Sequence, residues 1–272
     1  MAVVSPKGGV GKTSVSANFA TGLAARGYRT CVVDFDFGLR NLDFSLGCEM
    51  LVEHDLQEVL NRSCSLPKAL VRVPQCPNLH LLPGYTGSDF APPPEAVSRL
   101  VSELRMSGYQ FIVIDSASGL GEPLAHAIRH VDDVMVVLNP EVPALLKAQH
   151  LSNFVLEHNE IGQSEEQPVR MMFMLNRYRP RWVAEGLQLS LADVAGSFEW
   201  PLLGVIPEDA TEKEAVKQSK PVIFFTEADI AQAYWDAVDR YTGQDKPLRF
   251  IEAKQPASLW QRLLGKKPVK VA

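Results

Sequence analysis

Lys7-Gly8-Gly9-Val10-Gly11-Lys12-Thr13 decides how the rest of the chain is read. A glycine-rich turn closed by Lys-Thr is a phosphate-binding loop. Its backbone N–H groups cradle the phosphates, the closing lysine reaches the β- and γ-phosphates, and the hydroxyl after it sits on Mg²⁺. The candidate nucleotide ligands are therefore Gly8, Gly9, Val10, Gly11, Lys12, Thr13 and Ser14. Lys7 stands too early to be the closing lysine and needs a role of its own. The full pattern begins with Gly five residues before Gly11, and here that position is Pro6.

The flanks agree with the loop. Ala2-Val3-Val4-Ser5 is a short apolar run that suits a buried strand. After Thr13, Val15, Phe19 and Leu23 recur every fourth residue, and Gly27 is a plausible helix stop. Strand, turn and helix follow one another as a phosphate site requires. The first strand is short for a central one, which leaves room for a start codon upstream of Met1. With the loop so close to Met1, no secretory leader is expected.

The chain has 272 residues, 46% hydrophobic and 22% charged, enough for one large or two small cored domains. A net charge of −5 excludes a molecule-wide polyanion binder. No apolar run reaches the roughly 18 residues of a membrane span. Cys31, Cys48, Cys64 and Cys76 form no CxxC pair and read as buried, reduced thiols.

Strand-like runs at Thr30–Asp34, Leu79–Leu82, Phe111–Asp115, Val134–Leu138, Met171–Leu175 and Leu202–Ile206 alternate with helical patterns. The helical patterns include Pro94–Ser107, Glu122–His130, Ala144–His158 and Ala228–Tyr241. The alternation predicts an α/β fold: a mostly parallel P-loop NTPase sheet with helices on both faces and ligands at the carboxyl ends of the strands. Residues 1–242 form the expected ATPase domain, 243–257 a polar connector and 258–272 an amphipathic tail. Gly84 to Pro94 reads as a surface loop.

Three carboxylates end strands. Asp34 and Asp36 follow the second, and Asp115 follows Phe-Ile-Val-Ile. A carboxylate there, beside a phosphate loop, is where an NTPase holds Mg²⁺ directly or through water. On the residues alone, the blander reading that Asp34 and Asp36 cap a turn stays open.

The segment Asp34-Phe-Asp-Phe-Gly-Leu-Arg-Asn-Leu-Asp43, with Leu46-Gly47-Cys48-Glu49, resembles the switch region of the MinD/ParA family of deviant Walker A ATPases, and MinD members above all. So do Asp115-Ser116 with Gly119, Asn139-Pro-Glu-Val142, Val205-Ile-Pro-Glu-Asp209, Lys220-Pro-Val-Ile223 and Arg249-Phe-Ile-Glu252. The resemblance runs the length of the chain. It implies that Lys7 reaches across an ATP-dependent homodimer to the partner's phosphates, as an arginine finger does. It implies that Asp36 positions the attacking water, that Thr13, Asp36 and Asp115 belong to the Mg²⁺ site, and that Asn176, Pro207 and Glu208 read adenine. It implies a slow ATPase of division-site placement, with a MinC-like inhibitor and a MinE-like activator as partners. Pro6, Asp115-Ser-Ala-Ser and the apolar Pro143-Ala-Leu-Leu-Lys147 depart from the family pattern, the last on the surface that meets the activator.

The tail Ser258-Leu-Trp-Gln-Arg-Leu-Leu-Gly-Lys-Lys267 places Leu259, Trp260, Leu263 and Leu264 on one helical face, with Arg262, Lys266 and Lys267 adding positive charge. That composition suits an interfacial helix on anionic lipid, and the resemblance implies that it lies at the cytoplasmic face of the inner membrane. A ParA-like partition protein or a flagellar-number regulator is the nearest alternative. An iron–sulfur reductase subunit and a scaffold without turnover are more distant ones. No sequence-specific nucleic acid is expected. His126 and His130 have zinc spacing but no third ligand, Phe224, Phe225, Tyr234 and Trp235 read as core, and Lys213, Lys217 and Lys220 read as a solvated face.

Overall fold

A computed structural model describes residues 1–36, 40–87, 92–161 and 168–252. The tail, with Leu259 through Lys267, and the middle of the Asp34–Asp43 segment lie outside the described residues. The strands are β1 (Ala2–Val4), β2 (Thr30–Phe35), β3 (Val71–Arg72), β4 (Leu79–Leu82), β5 (Phe111–Ser116), β6 (Asp133–Leu138), β7 (Arg170–Tyr178) and β8 (Leu202–Pro207). They make one sheet in the order β3-β4-β2-β5-β1-β6-β7-β8. Only β3, at the edge, runs antiparallel to its neighbour.

The helices are α1 (Lys12–Ala25), α2 (Leu42–Leu46), α3 (Leu56–Leu60), α4 (Leu66–Ala69), α5 (Pro94–Met106) and α6 (Glu122–Ile128). They continue with α7 (Val142–His158), α8 (Pro180–Ala184), α9 (Leu191–Ala195), α10 (Thr211–Lys217) and α11 (Asp229–Tyr241). Side chains alternate between two apolar layers. Ala2 and Val4 join the layer under α5, α6 and α7, and Val3 joins the layer under α1 and α11. Because both faces are covered, the strands read as continuous apolar runs rather than as alternating ones.

Helix α1 is more deeply placed than its fourfold stripe implies. Ser16, Ala17, Asn18, Ala20, Thr21 and Gly22 are buried along with Val15, Phe19 and Leu23. The helix is sandwiched between the sheet and α11, so its polar side chains need partners inside. Asn18 donates to Ser14 O at 2.7 Å and accepts from Ile223 N at 2.9 Å. Gly22 allows the close approach of α11, since a Cβ there would lie 2.6 Å from Val238.

Several sequence expectations are corrected in detail. Strands β2 and β5 run one residue further than read, to Phe35 and Ser116, with Asp34 and Asp115 paired in register across them. Helix α6 ends at Ile128, so His126 and His130 do not share a helix face. His126 instead lies 3.6 Å from Glu122, and His130 bonds Ser98. Helix α7 starts at Val142 because Pro143 is pre-organised for a first turn. Tyr234 is fully buried and Trp235 donates to Ile223 O, as a core role requires. The start of the polar connector returns along α11, where Arg249 grips Asp236 at 2.6 and 2.8 Å.

Candidate active site

The loop between β1 and α1 opens at the carboxyl edge of the sheet. Gly11 caps α1 with φ 90°, a left-handed conformation that glycine adopts without strain. A Cβ at Gly11 would lie 2.3 Å from Asn176 Nδ2, which donates to Val10 O at 2.8 Å. Asn176 owes its position to an irregularity in β7. The register shifts between Leu175 and Tyr178, and Arg177 takes φ 55°. The end of β5 and the loop following it support the other side, with Ser116 Oγ donating to Val3 O and Gly119 N to Ser5 O.

Inside this frame Lys12 is buried, its ammonium 3.5 Å from Asp115 Oδ1 and 4.0 Å from Asp36 Oδ2. Ser16 Oγ donates to the same Asp115 oxygen at 2.8 Å. Asp36 N donates to Asp34 Oδ1 at 3.0 Å, tying the end of β2 to its own strand. Two carboxylates thus face one lysine, and Asp34 lies next to both of them. Burial, and after it the Asp115 charge, holds Asp34 well above the ordinary carboxylate range. Burial also raises Asp36, with Lys12 opposing the shift.

This excess of negative charge suits a divalent cation. Asp115 Oδ2 is buried without a hydrogen-bond partner, an oxygen with unused capacity at the mouth of the loop. Thr13, half-buried in the first turn of α1, adds a hydroxyl. Among the described residues, no three His, Cys, Asp or Glu side chains are grouped to hold a metal by themselves. Mg²⁺ takes one or two protein oxygens and completes its shell with phosphate and water, and the Asp115 carboxylate and Thr13 hydroxyl could supply such oxygens.

The sequence-predicted residues divide. Lys12, Asp36, Asp115 and Asn176 converge on the loop. Lys7 does not join them: its ammonium faces Glu141, 3.5 Å away at the start of α7. Glu208 is engaged by Arg179, whose guanidinium stacks 3.7 Å from the centre of the Trp182 ring. Pro207 ends β8, and Glu208 N donates to Tyr178 O. Sequence reasoning missed Ser16, whose signal was its place one turn after Lys12 on the same helical face. It also missed Glu212, which accepts from Ser14 Oγ at 2.9 Å.

A cavity of about 710 Å³ opens beside Ser14, between Phe44, Arg177, Glu212, Lys213 and Lys217, with room for a nucleoside. Lys213 and Lys217 are exposed, as a solvated face requires, and border this cavity. A second cavity, about 310 Å³, is lined by Met1, Ile112, Asp133, Arg170 and Tyr241. It lies at the amino ends of the strands, opposite the edge where such sheets bind ligands. The four cysteines are free and buried. Burial pushes Cys31 and Cys76 up and Cys48 up to about 12, which keeps these thiols protonated and poorly suited as iron–sulfur ligands.

Comparison with known proteins agrees with this geometry. Residues 1–222 match the CobQ/CobB/MinD/ParA nucleotide binding domain. The septum site-determining protein MinD of Escherichia coli K12 is 38% identical over 264 residues, 97% of each chain. Among solved structures, the MinC:MinD cell division complex of Aquifex aeolicus superposes with TM-score 0.82 at 30% identity, covering 93% of this chain and 98% of that one. Pyrococcus horikoshii MinD, complexed with Mg-ADP, gives TM-score 0.76 at 27% identity, covering 89% and 95%.

Proposed function

The chain belongs to the CobQ/CobB/MinD/ParA nucleotide-binding family, and on that premise we propose that it is a MinD-type ATPase that pairs on ATP, rests on an anionic membrane and places the division site by recruiting an inhibitor of division. The observation that carries the reading is Lys12 buried between Asp36 and Asp115 at the mouth of the loop.

Backbone N–H groups from Gly8 to Thr13 hold the phosphates, and Lys12 places its charge on the β- and γ-oxygens. Thr13 and Asp115 hold Mg²⁺, which when bound neutralises charge gathering on those oxygens. Asp36 accepts a hydrogen bond from the attacking water and lines it up with the γ-phosphorus. Asn176 braces the loop from beneath, beside the base. Lys7, exposed in a single chain, reaches the γ-phosphate of a second copy. Turnover is slow until an activator completes the site.

The tail converts pairing into location. A helix of residues 258–267 is too short to be stable in water and folds on lipid. A few apolar side chains and about 1 kcal/mol per basic residue give weak, reversible binding. Two tails held together bind about a hundred-fold better or more through effective concentration. The Aquifex neighbour is a complex with MinC, and a MinC-like inhibitor and a MinE-like activator are the partners proposed.

Liposome sedimentation of the full chain with ATP, with ADP and after removal of residues 258–272 tests the reading. ATP-dependent binding that needs the tail is expected, and equal sedimentation in all three arms defeats it. A salt-dependent shift of DNA would instead favour a ParA-like partition protein.

A further inference from the structure

The two oxygens of Asp115 are in different circumstances. Oδ1 accepts from Ser16 Oγ at 2.8 Å and lies 3.5 Å from Lys12 Nζ. Oδ2 is buried with no hydrogen-bond partner. The last torsion of an aspartate is broad, so nothing intrinsic to the side chain selects one orientation of the carboxylate. Two groups gathered on one oxygen do. Both come from α1, where Lys12 and Ser16 are one turn apart and face the end of β5.

We propose that Ser16 is a positioning residue for the Mg²⁺ that accompanies the nucleotide: by holding Oδ1, it aims Oδ2 at the ion or at a water bound to the ion. The inference rests on the Mg²⁺–ATP reading above and goes one step further into the same site. The phosphate-loop pattern ends at Thr13 and requires no hydroxyl at position 16. Partners of metal-binding carboxylates orient the ligand, and losing one typically weakens metal binding about 10- to 100-fold.

The plainer account is that Ser16 only satisfies itself, since its Oγ also lies 3.1 Å from Lys12 O. Thr21 supplies the control. It is fully buried on the same helix and bonds back to Ala17 O at 2.7 Å in the same manner.

Mn²⁺ serves as the probe. The full-length wild type, Ser16→Ala, Ser16→Cys and Thr21→Ala are loaded with ADP and titrated with Mn²⁺, followed by loss of the free-ion paramagnetic resonance signal. ADP affinity in EDTA and melting temperature are measured alongside. Ser16→Ala is expected to weaken Mn²⁺ binding about ten-fold or more, with ADP affinity in EDTA unchanged. Ser16→Cys, close in volume and a weak donor, falls between and reports on the site should the alanine variant fail to fold. Thr21→Ala keeps the wild-type Mn²⁺ affinity. Unchanged Mn²⁺ binding in both Ser16 variants, or equal weakening by Thr21→Ala, overturns the proposal. If the ADP-loaded wild type takes up no Mn²⁺, the Mg²⁺–nucleotide reading itself fails and this inference with it.

Discussion

Lys12 and Lys7 lie in one loop and live in opposite surroundings. The side chain of Lys12 is 6% exposed and sits among Asp36, Asp115 and the hydroxyl-bearing face of α1. That of Lys7 is 53% exposed and touches one half-exposed carboxylate, Glu141. The first environment is built by this chain alone, because α1 and the ends of β2 and β5 fix it. The second is hardly built at all, and a surface pair of this kind contributes little to stability. A charge buried among carboxylates is committed to its site, whereas an exposed one is available to another molecule.

The sharpest way to break this contrast is to remove each lysine in turn. Lys12→Ala should lower ATP turnover about a thousand-fold and abolish nucleotide binding, measured by phosphate release and by a fluorescent nucleotide. Lys7→Ala should cost about a hundred-fold in turnover yet leave Mg-ADP affinity and melting temperature at wild-type values. Loss of ADP binding in Lys7→Ala would erase the distinction between the two residues.

The buried side can be sharpened through pH. Asp34 has a folded-state pKa raised above its unfolded value of about 4. The folded state therefore binds more protons, and stability falls as pH climbs from the ordinary carboxylate range towards neutrality. Asp34→Asn, which can still accept from Asp36 N, should flatten that decline and raise the melting temperature of the nucleotide-free protein above pH 7 by about 2–4 °C. Thermal melts across pH 4 to 8 check it. The smallest effect belongs to the exposed side: Glu141→Gln should shift stability by less than about 0.5 kcal/mol in urea unfolding.

Much of this was legible because the informative patterns are local. The phosphate loop, the apolar run into Asp115 and the strand–helix alternation each declare themselves within a dozen residues. Strand β3 has only two residues, Val71 and Arg72, too few to carry a period, and so went unread. The all-round burial of α1 depends on α11, more than 200 residues further on, and no window of sequence contains both. Ser16 had the right spacing from Lys12, but its partner Asp115 comes near only once β5 lies beside β1. The hold of Asn176 on Val10 depends on the kinked end of β7, which ordinary strand composition does not announce.

Strand β1 occupies the middle of the sheet, yet its neighbours are residues 114 and 134 onward. During synthesis the phosphate loop leaves the ribosome more than 100 residues before the strands that wall it. Contacts of such long sequence separation form late, after the entropy of closing the intervening chain has been met. A nascent chain shorter than about half the protein carries the loop without a site around it. The order of translation and the order of assembly are therefore reversed here, and a truncated or stalled product lacks the Asp115 and Asn176 that pack around the loop.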